Sequence, residues 1–143
     1  MKNITVLTSA CSSPTILSFL ACLRNNGERN IKVVGVDMSN DPSTKYLVDA
    51  FYQVPAANAS EYCDFILDIC KKEKVNIYFP NISAEVSAVA ERIDQFKAIG
   101  TIPSLSNQHS INISNNKLRT YQELKLAGIP IPSFYPVYSV NDF

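Results

Sequence analysis

Apolar and polar positions along this chain fall into blocks whose period switches between strand-like and helix-like. The run Ile4-Thr5-Val6-Leu7-Thr8 reads as a strand, and beyond a cluster of small residues Ile16, Leu17, Leu20 and Leu23 recur at helical spacing. That spacing predicts a helix over about residues 14–26, with Ser13 as cap, Pro14 as first helical residue and Gly27 as stop. Lys32-Val33-Val34-Gly35-Val36-Asp37 is a second strand, almost wholly apolar, as in parallel sheets covered on both faces. The pattern then predicts one helical turn within 38–50, a short strand over 51–55, and a helix over 61–74 capped by Ser60. A strand over 76–80, a helix over 83–96 and a strand over 99–103 follow. A short helix over 107–113 and a longer one over 115–127, stopped by Gly128 ahead of Pro130, precede a strand-like tail, SFYPVYSV.

Strands alternating with helices through short connections predict an α/β fold. It is a Rossmann-like, doubly wound parallel sheet in three α/β/α layers. In such sheets ligands lie beyond the carboxyl ends of the strands, where strand order reverses. Four stretches qualify: residues 9–13, 37–40, 80–85 and 104–108.

The first of these turns, Ser9-Ala10-Cys11-Ser12-Ser13, contains no glycine. Dinucleotide enzymes use glycines there for a tight turn and close approach to pyrophosphate, so a nicotinamide-dependent oxidoreductase is disfavoured. Ser12 and Ser13 keep the N–H groups and add hydroxyls; they are candidates for a substrate contact or simply for helix capping. Asp37 ends the second strand, where an acid can hold ribose hydroxyls or anchor its own loop. Asn81, Ser83 and Glu85 follow the fourth strand, and Glu85 in a first helical turn also complements the helix dipole. Cys11 near a helix start is either a thiol of lowered pKa or a packed one. His109 has no acid or nucleophile placed beside it.

Composition narrows the classes. The 143 residues suit one compact domain, and 46% hydrophobic with 18% charged residues is globular rather than disordered. Thirteen basic and thirteen acidic residues leave no basic stripe, which argues against nucleic acid. No apolar run approaches the roughly 20 residues of a membrane span, and the N-terminus lacks the features of a secretory signal. Cys11, Cys22, Cys63 and Cys70 form no CxxC pair, and four N-x-[ST] sequons fit the Asn- and Ser-rich composition. A cytoplasmic protein with free thiols is expected.

The last third adds a more specific signal. The stretch SNNKLRTYQELKLAGIPIPSFYPV, with Asn116-Lys117, Thr120 and Gly128-Ile129-Pro130-Ile131-Pro132, resembles the segment leading from the N-terminal domain into the ATP-grasp fold. Upstream, VVGVDMSNDPSTKYLVDAFYQVP is similar to that family's Gly-x-Asp strand and the passage after it. CKKEKVNIYFPNISAEV is similar to its lysine-rich helix end, strand, Pro and acidic helix start. The chain thus resembles the pre-ATP-grasp domain of a carbamoyl-phosphate-synthase-large-subunit-like ligase. It departs from the family at Ser12 and Ser13, where glycines are frequent, and at Ala84, where an acidic pair is frequent.

The resemblance implies a Rossmann-like domain over residues 1–113. Residues 114–143 would form a linker helix and first strand entering an ATP-grasp domain downstream or on a partner chain. It implies ATP and magnesium for the full-length enzyme, neither bound tightly by this chain, and Lys117 near the nucleotide phosphates. Ser12, Ser13, Asp37, Asn81 and Glu85 become the expected substrate contacts, for a small carboxylate or amino-acid-like substrate. The chain would not be catalytic by itself; a second copy of it is an open alternative partner. The rival reading is a stand-alone Rossmann-like module binding a small ligand above Ser9–Ser13 and Asp37.

Overall fold

The computed structural model describes residues 3–140. Five strands, β1 (Ile4–Thr8), β2 (Ile31–Asp37), β3 (Ala50–Gln53), β4 (Ile77–Phe79) and β5 (Ile102–Pro103), form one sheet. Its order is β3-β2-β1-β4-β5, and every pairing is parallel. β1 pairs with β2 from Ile4↔Ile31 to Thr8↔Gly35 and with β4 from Val6↔Ile77 to Thr8↔Phe79. The chain therefore builds outward through β2 and β3, then crosses over to β4. The reversal lies between β1 and β4.

The strand alternation explains the two covered faces. Val34 and Val36 point the same way and join Leu7 and Tyr78 in a core with helix α2 (Tyr62–Glu73), through Ile66, Leu67 and Cys70. Val89 of α3 (Ser83–Glu91) and Phe96 of α4 (Ile93–Ala98) complete that core. Val33 faces the other way, against Ile16 and Leu20 of α1 (Ile16–Arg24). Each fully buried aliphatic or aromatic side chain here contributes about 1.5–3 kcal/mol. The expected three-layer, doubly wound parallel sheet is what forms.

Gly35 has a packing reason. A Cβ there would lie 2.7 Å from Cys11 Sγ and 3.2 Å from Val48, so β2 needs glycine where the first turn packs beneath it.

The expected element ends differ at several places. α1 begins at Ile16, with Thr15 rather than Ser13 at the cap position, because residues 11–15 form tight turns first. α2 begins at Tyr62 after Glu61, so Ser60 is not its cap; Ser60 Oγ instead bonds Glu61 Oε2 at 3.0 Å. The helix expected over 83–96 is broken at Arg92, where the bonds Arg92 N–H to Val89 O and Gln95 N–H to Arg92 O tighten to three-residue spacing. The strand expected over 99–103 shortens to Ile102–Pro103, since Ile99 still closes α4 and Gly100 turns at φ 82°.

A first compact unit runs to Leu105 and a second starts at Ser106, ahead of the boundary expected at 113/114. The second holds α5 (Gln108–Ser114) and α6 (Lys117–Leu126), capped by the side chains of Asn107 and Asn116. Gly128, at φ 73°, ends α6 in the left-handed conformation that suits glycine, with the Ile129 N–H bonding Leu124 O at 2.9 Å. The strand expected over 133–140 does not form: residues 129–138 have no regular secondary structure. A strand needs a neighbour to take its backbone bonds. Residues 141–143 of the expected linker segment lie outside the described residues. No helix among the described residues is long and apolar enough to cross a membrane.

Candidate functional site

At the carboxyl edge, the turns after β1, β2 and β4 meet around a cleft of about 530 Å³. Ser12, Ser13, Asp37, Asn81 and Glu85 all line it, so three of the four stretches singled out from the sequence converge. Val36, Val54, Ala57, Ile82 and Ala84 supply apolar walls. No Lys, Arg or His is among its lining residues.

Two buried carboxylates organise this edge. Asp37 Oδ2 accepts both the Ser12 N–H, at 2.6 Å, and the Ser12 hydroxyl, at 2.8 Å, while Oδ1 accepts the Ser39 N–H at 2.8 Å. Asp37 therefore anchors the first turn and its own loop. Ser12 bonds Asp37, not a helix end; of the two serines only Ser13 makes a cap-like contact, accepting the Thr15 N–H at 3.4 Å.

Glu85 does the same work on the β4 side. Its Oε2 accepts the Asn81 N–H at 3.0 Å, the Ile82 N–H at 3.3 Å and the Ser9 hydroxyl. Ile82 is the N-cap of α3 and Glu85 its third residue, so the carboxylate supplies the acidic half of a capping box whose other half is apolar. Asn81 Nδ2 donates to Thr8 Oγ1 at 2.9 Å and to the Ser9 carbonyl at 3.0 Å, tying the two turns across the switch point. Burial raises the Glu85 pKa above its ordinary 4.5, against the pull of hydrogen bonds from Ser9, Tyr62, Ile82 and Asn81. Neither Asp37 nor Glu85 has an ion-pair partner among the described residues.

Cys11 is fully buried, and desolvation with the nearby Asp37 charge pushes its thiol up to about 12. The lowered-pKa alternative for Cys11 is thereby corrected: the burial that packs it against β2 outweighs its place near a helix start. Ala10 adopts φ 55°, the left-handed conformation that a glycine would take most cheaply.

Thr8, which bonds Asn81, and Tyr62 belong to this site and were not singled out by the sequence, whereas Ser9 was, as the start of the first turn. Thr8 looks like an ordinary strand-end residue until β4 is placed beside it. Tyr62 lines the cleft and meets Tyr78 through a 2.9 Å hydroxyl contact, with its own pKa raised by burial and then by Glu85. Lys117 is the exposed first residue of α6, in the second unit.

No curated protein matches the chain. The family model described as PylC-like, N-terminal domain, matches residues 6–104. Among solved structures the chain is similar to glycinamide-RNase-transformylase T from Mycobacterium tuberculosis, with TM-score 0.68 and 14% identity over 92% of this chain and 38% of that one. It is similar to a multifunctional pyruvate carboxylase from Rhizobium etli, with TM-score 0.66 and 16% identity over 93% and 13%. For N5-carboxyaminoimidazole synthetase from Staphylococcus aureus, complexed with ADP, the TM-score is 0.55 at 15% identity over 87% and 30%. At such identities the likeness is one of fold, and the chain spans well under half the length of each. The family match covers the strands, the turns and both carboxylates of the cleft. The chain belongs to the PylC-like N-terminal domain family, and its Rossmann-like sheet has the fold of a pre-ATP-grasp domain.

Proposed function

We propose that this chain is the N-terminal domain of an ATP-dependent carboxylate–amine ligase, with its sheet-edge cleft forming part of the substrate site. The observation that carries this reading is the cleft itself. It lies at the strand-order reversal, inside the family-matched segment, and is lined by Ser12, Ser13, Asp37, Asn81 and Glu85. The reaction class activates a carboxylate with ATP as an acyl phosphate, which an amine then attacks. Magnesium, when bound, neutralises charge on the phosphate oxygens.

Among the described residues no group of three or more His, Cys, Asp or Glu is placed to hold a metal ion. We assign magnesium and most nucleotide contacts to an ATP-grasp domain, on the same chain or a partner, as the resemblance of the segment from Asn116 to Pro132 implies. Lys117 is the one phosphate contact assigned here, and the chain alone neither binds Mg-ATP tightly nor hydrolyses it. Free Cys11, Cys22, Cys63 and Cys70 fit the reducing cytoplasm.

The test joins this chain to its ATP-grasp domain and measures ADP release dependent on a carboxylate and an amine. Lys117→Ala in that assembly should weaken ATP binding or turnover; unchanged values remove it from the site. Tight Mg-ATP binding by residues 1–143 alone refutes the division of labour. The stand-alone binding module keeps one supporting observation, since every residue lining the cleft belongs to the first unit.

A further inference from the structure

A phosphate-binding first turn works by leaving its N–H groups open toward the ligand. Here the Ser9 N–H bonds Phe79 O at 3.3 Å, the Cys11 N–H bonds Val36 O at 3.4 Å and the Ser13 N–H bonds Ala10 O at 2.9 Å. The Ser12 N–H and hydroxyl both go to Asp37 Oδ2. The chain itself thus takes up the donors that an anionic ligand would need, those of Ser12 with a carboxylate and the other three with backbone carbonyls.

The rest of the lining points the same way. Asp37 and Glu85 are 6% and 3% exposed and carry no ion pair among the described residues. Asp37 Oδ1 accepts a single hydrogen bond, from Ser39, which leaves lone-pair capacity for another donor. An anion entering between Val36, Val54 and Ile82 would meet the Asp37 and Glu85 carboxyl groups in an apolar wall and no cation. A primary ammonium on an aliphatic stem would meet apolar surface along its body and carboxylate at its head.

We infer that this cleft takes the ammonium end of an aliphatic amine and excludes phosphate and carboxylate groups, with Asp37 as the specificity-determining residue. The inference rests on the cleft being part of the substrate site. It deepens that reading by saying which end of a substrate enters.

The experiment uses the full chain and four probes: n-pentylamine, n-pentanol, pentanoate and inorganic phosphate. Amide chemical shifts are followed by NMR at constant ionic strength. Ligands this small bind weakly, so titrations run into the millimolar range. The expected result is pentylamine shifting the amides of residues 12, 13, 37–39 and 81–85, about tenfold more tightly than pentanoate, with phosphate silent there. Asp37→Asn should reduce or reverse that preference. The probe comparison in the unaltered chain stands even if the variant folds poorly. Pentanoate or phosphate binding at these residues as tightly as pentylamine overturns the ligand class and leaves the cleft's role intact. Binding of no probe at these residues overturns both. Neither outcome touches the ATP-dependent assay of the joined protein, so the ligase reading fails or survives separately.

Discussion

Replacing Glu85 is the sharpest test of how this edge is held together. Its carboxylate accepts from Ser9, Asn81 and Ile82, so Glu85→Ala orphans the Ile82 N–H, while the Asn81 N–H keeps Ser9 Oγ at 2.9 Å and the Ser9 hydroxyl keeps only a long contact to the Phe79 carbonyl at 3.5 Å. Each orphaned donor costs about 1–3 kcal/mol when water cannot replace the lost partner. Asn81 and Ile82 are exposed, so water recovers part of this, and removing a buried charge recovers more. A net loss of about 1–2 kcal/mol is expected, a sizeable share of the roughly 5–15 kcal/mol that holds a domain together. Glu85→Gln keeps an acceptor oxygen and should stay within about 1 kcal/mol of the parent.

The pH dependence has a defined sign. Burial raises the folded-state pKa of Glu85 above the ordinary 4.5 that it has when unfolded. Between those two values the folded protein holds more protons than the unfolded one, so this group's contribution to stability falls as pH rises. Below pH 4.5 that penalty is absent, and above the folded pKa it is complete. Glu85→Gln removes the slope, so its stability relative to the parent should improve from pH 4.5 toward neutrality. Urea unfolding followed by circular dichroism across that range measures both effects. Glu85→Ala within about 0.5 kcal/mol of the parent would refute the hydrogen-bond argument. A Gln-minus-parent difference moving the other way with pH would refute the burial argument.

Lys74 closes α2 at φ 54°, so Lys74→Gly should stabilise by about 0.5–1 kcal/mol in thermal or urea unfolding, and a destabilised variant would contradict that geometry. Gly35→Ala should cost about 1–3 kcal/mol through the 2.7 Å approach to Cys11 Sγ. Cys11→Ala in the same chain should return part of that loss, whereas strictly additive losses would place the clash elsewhere. Ser12→Ala should cost about 1 kcal/mol, and in a double-mutant cycle with Asp37→Asn the two losses should be less than additive. Full additivity there would mean that Ser12 and Asp37 act independently.

Periodicity made the fold legible because the apolar runs at Ile4–Thr8 and Ile31–Asp37 and the helical spacing of Ile16, Leu20 and Leu23 reflect burial, which is local in sequence. The same reasoning placed three turns at one edge, since parallel topology dictates where strand ends go. Element starts were harder. Ser13 and Ser60 look like caps, yet Thr15 and Glu61 stand at those positions, because extra turns precede both helices. The bonds of Asp37 to Ser12 and of Glu85 to Ser9 join residues far apart in sequence. No spacing rule reports such pairs, and only the register of β1 against β2 and β4 brings them together. The break at Arg92 carries no glycine or proline, so a helix read from periodicity runs through it.

The missing glycines of the first turn follow from what fills it. A phosphate needs glycine because its oxygens must approach bare backbone, and any Cβ along that approach holds them off. Asp37 arrives from the end of β2, inside the fold, so its approach to the Ser12 N–H is set by the register of β1 on β2 and not by access from solvent. Ser12 can then carry a side chain, and its hydroxyl adds a second bond to the same oxygen. One position still needs a left-handed backbone, and Ala10 meets that demand with only a methyl group. Gly35, the glycine this region does retain, lies on β2 under Cys11, where close packing requires it. The βαβ layout is therefore kept while its edge changes character, from a surface that receives negative charge to one that already holds it.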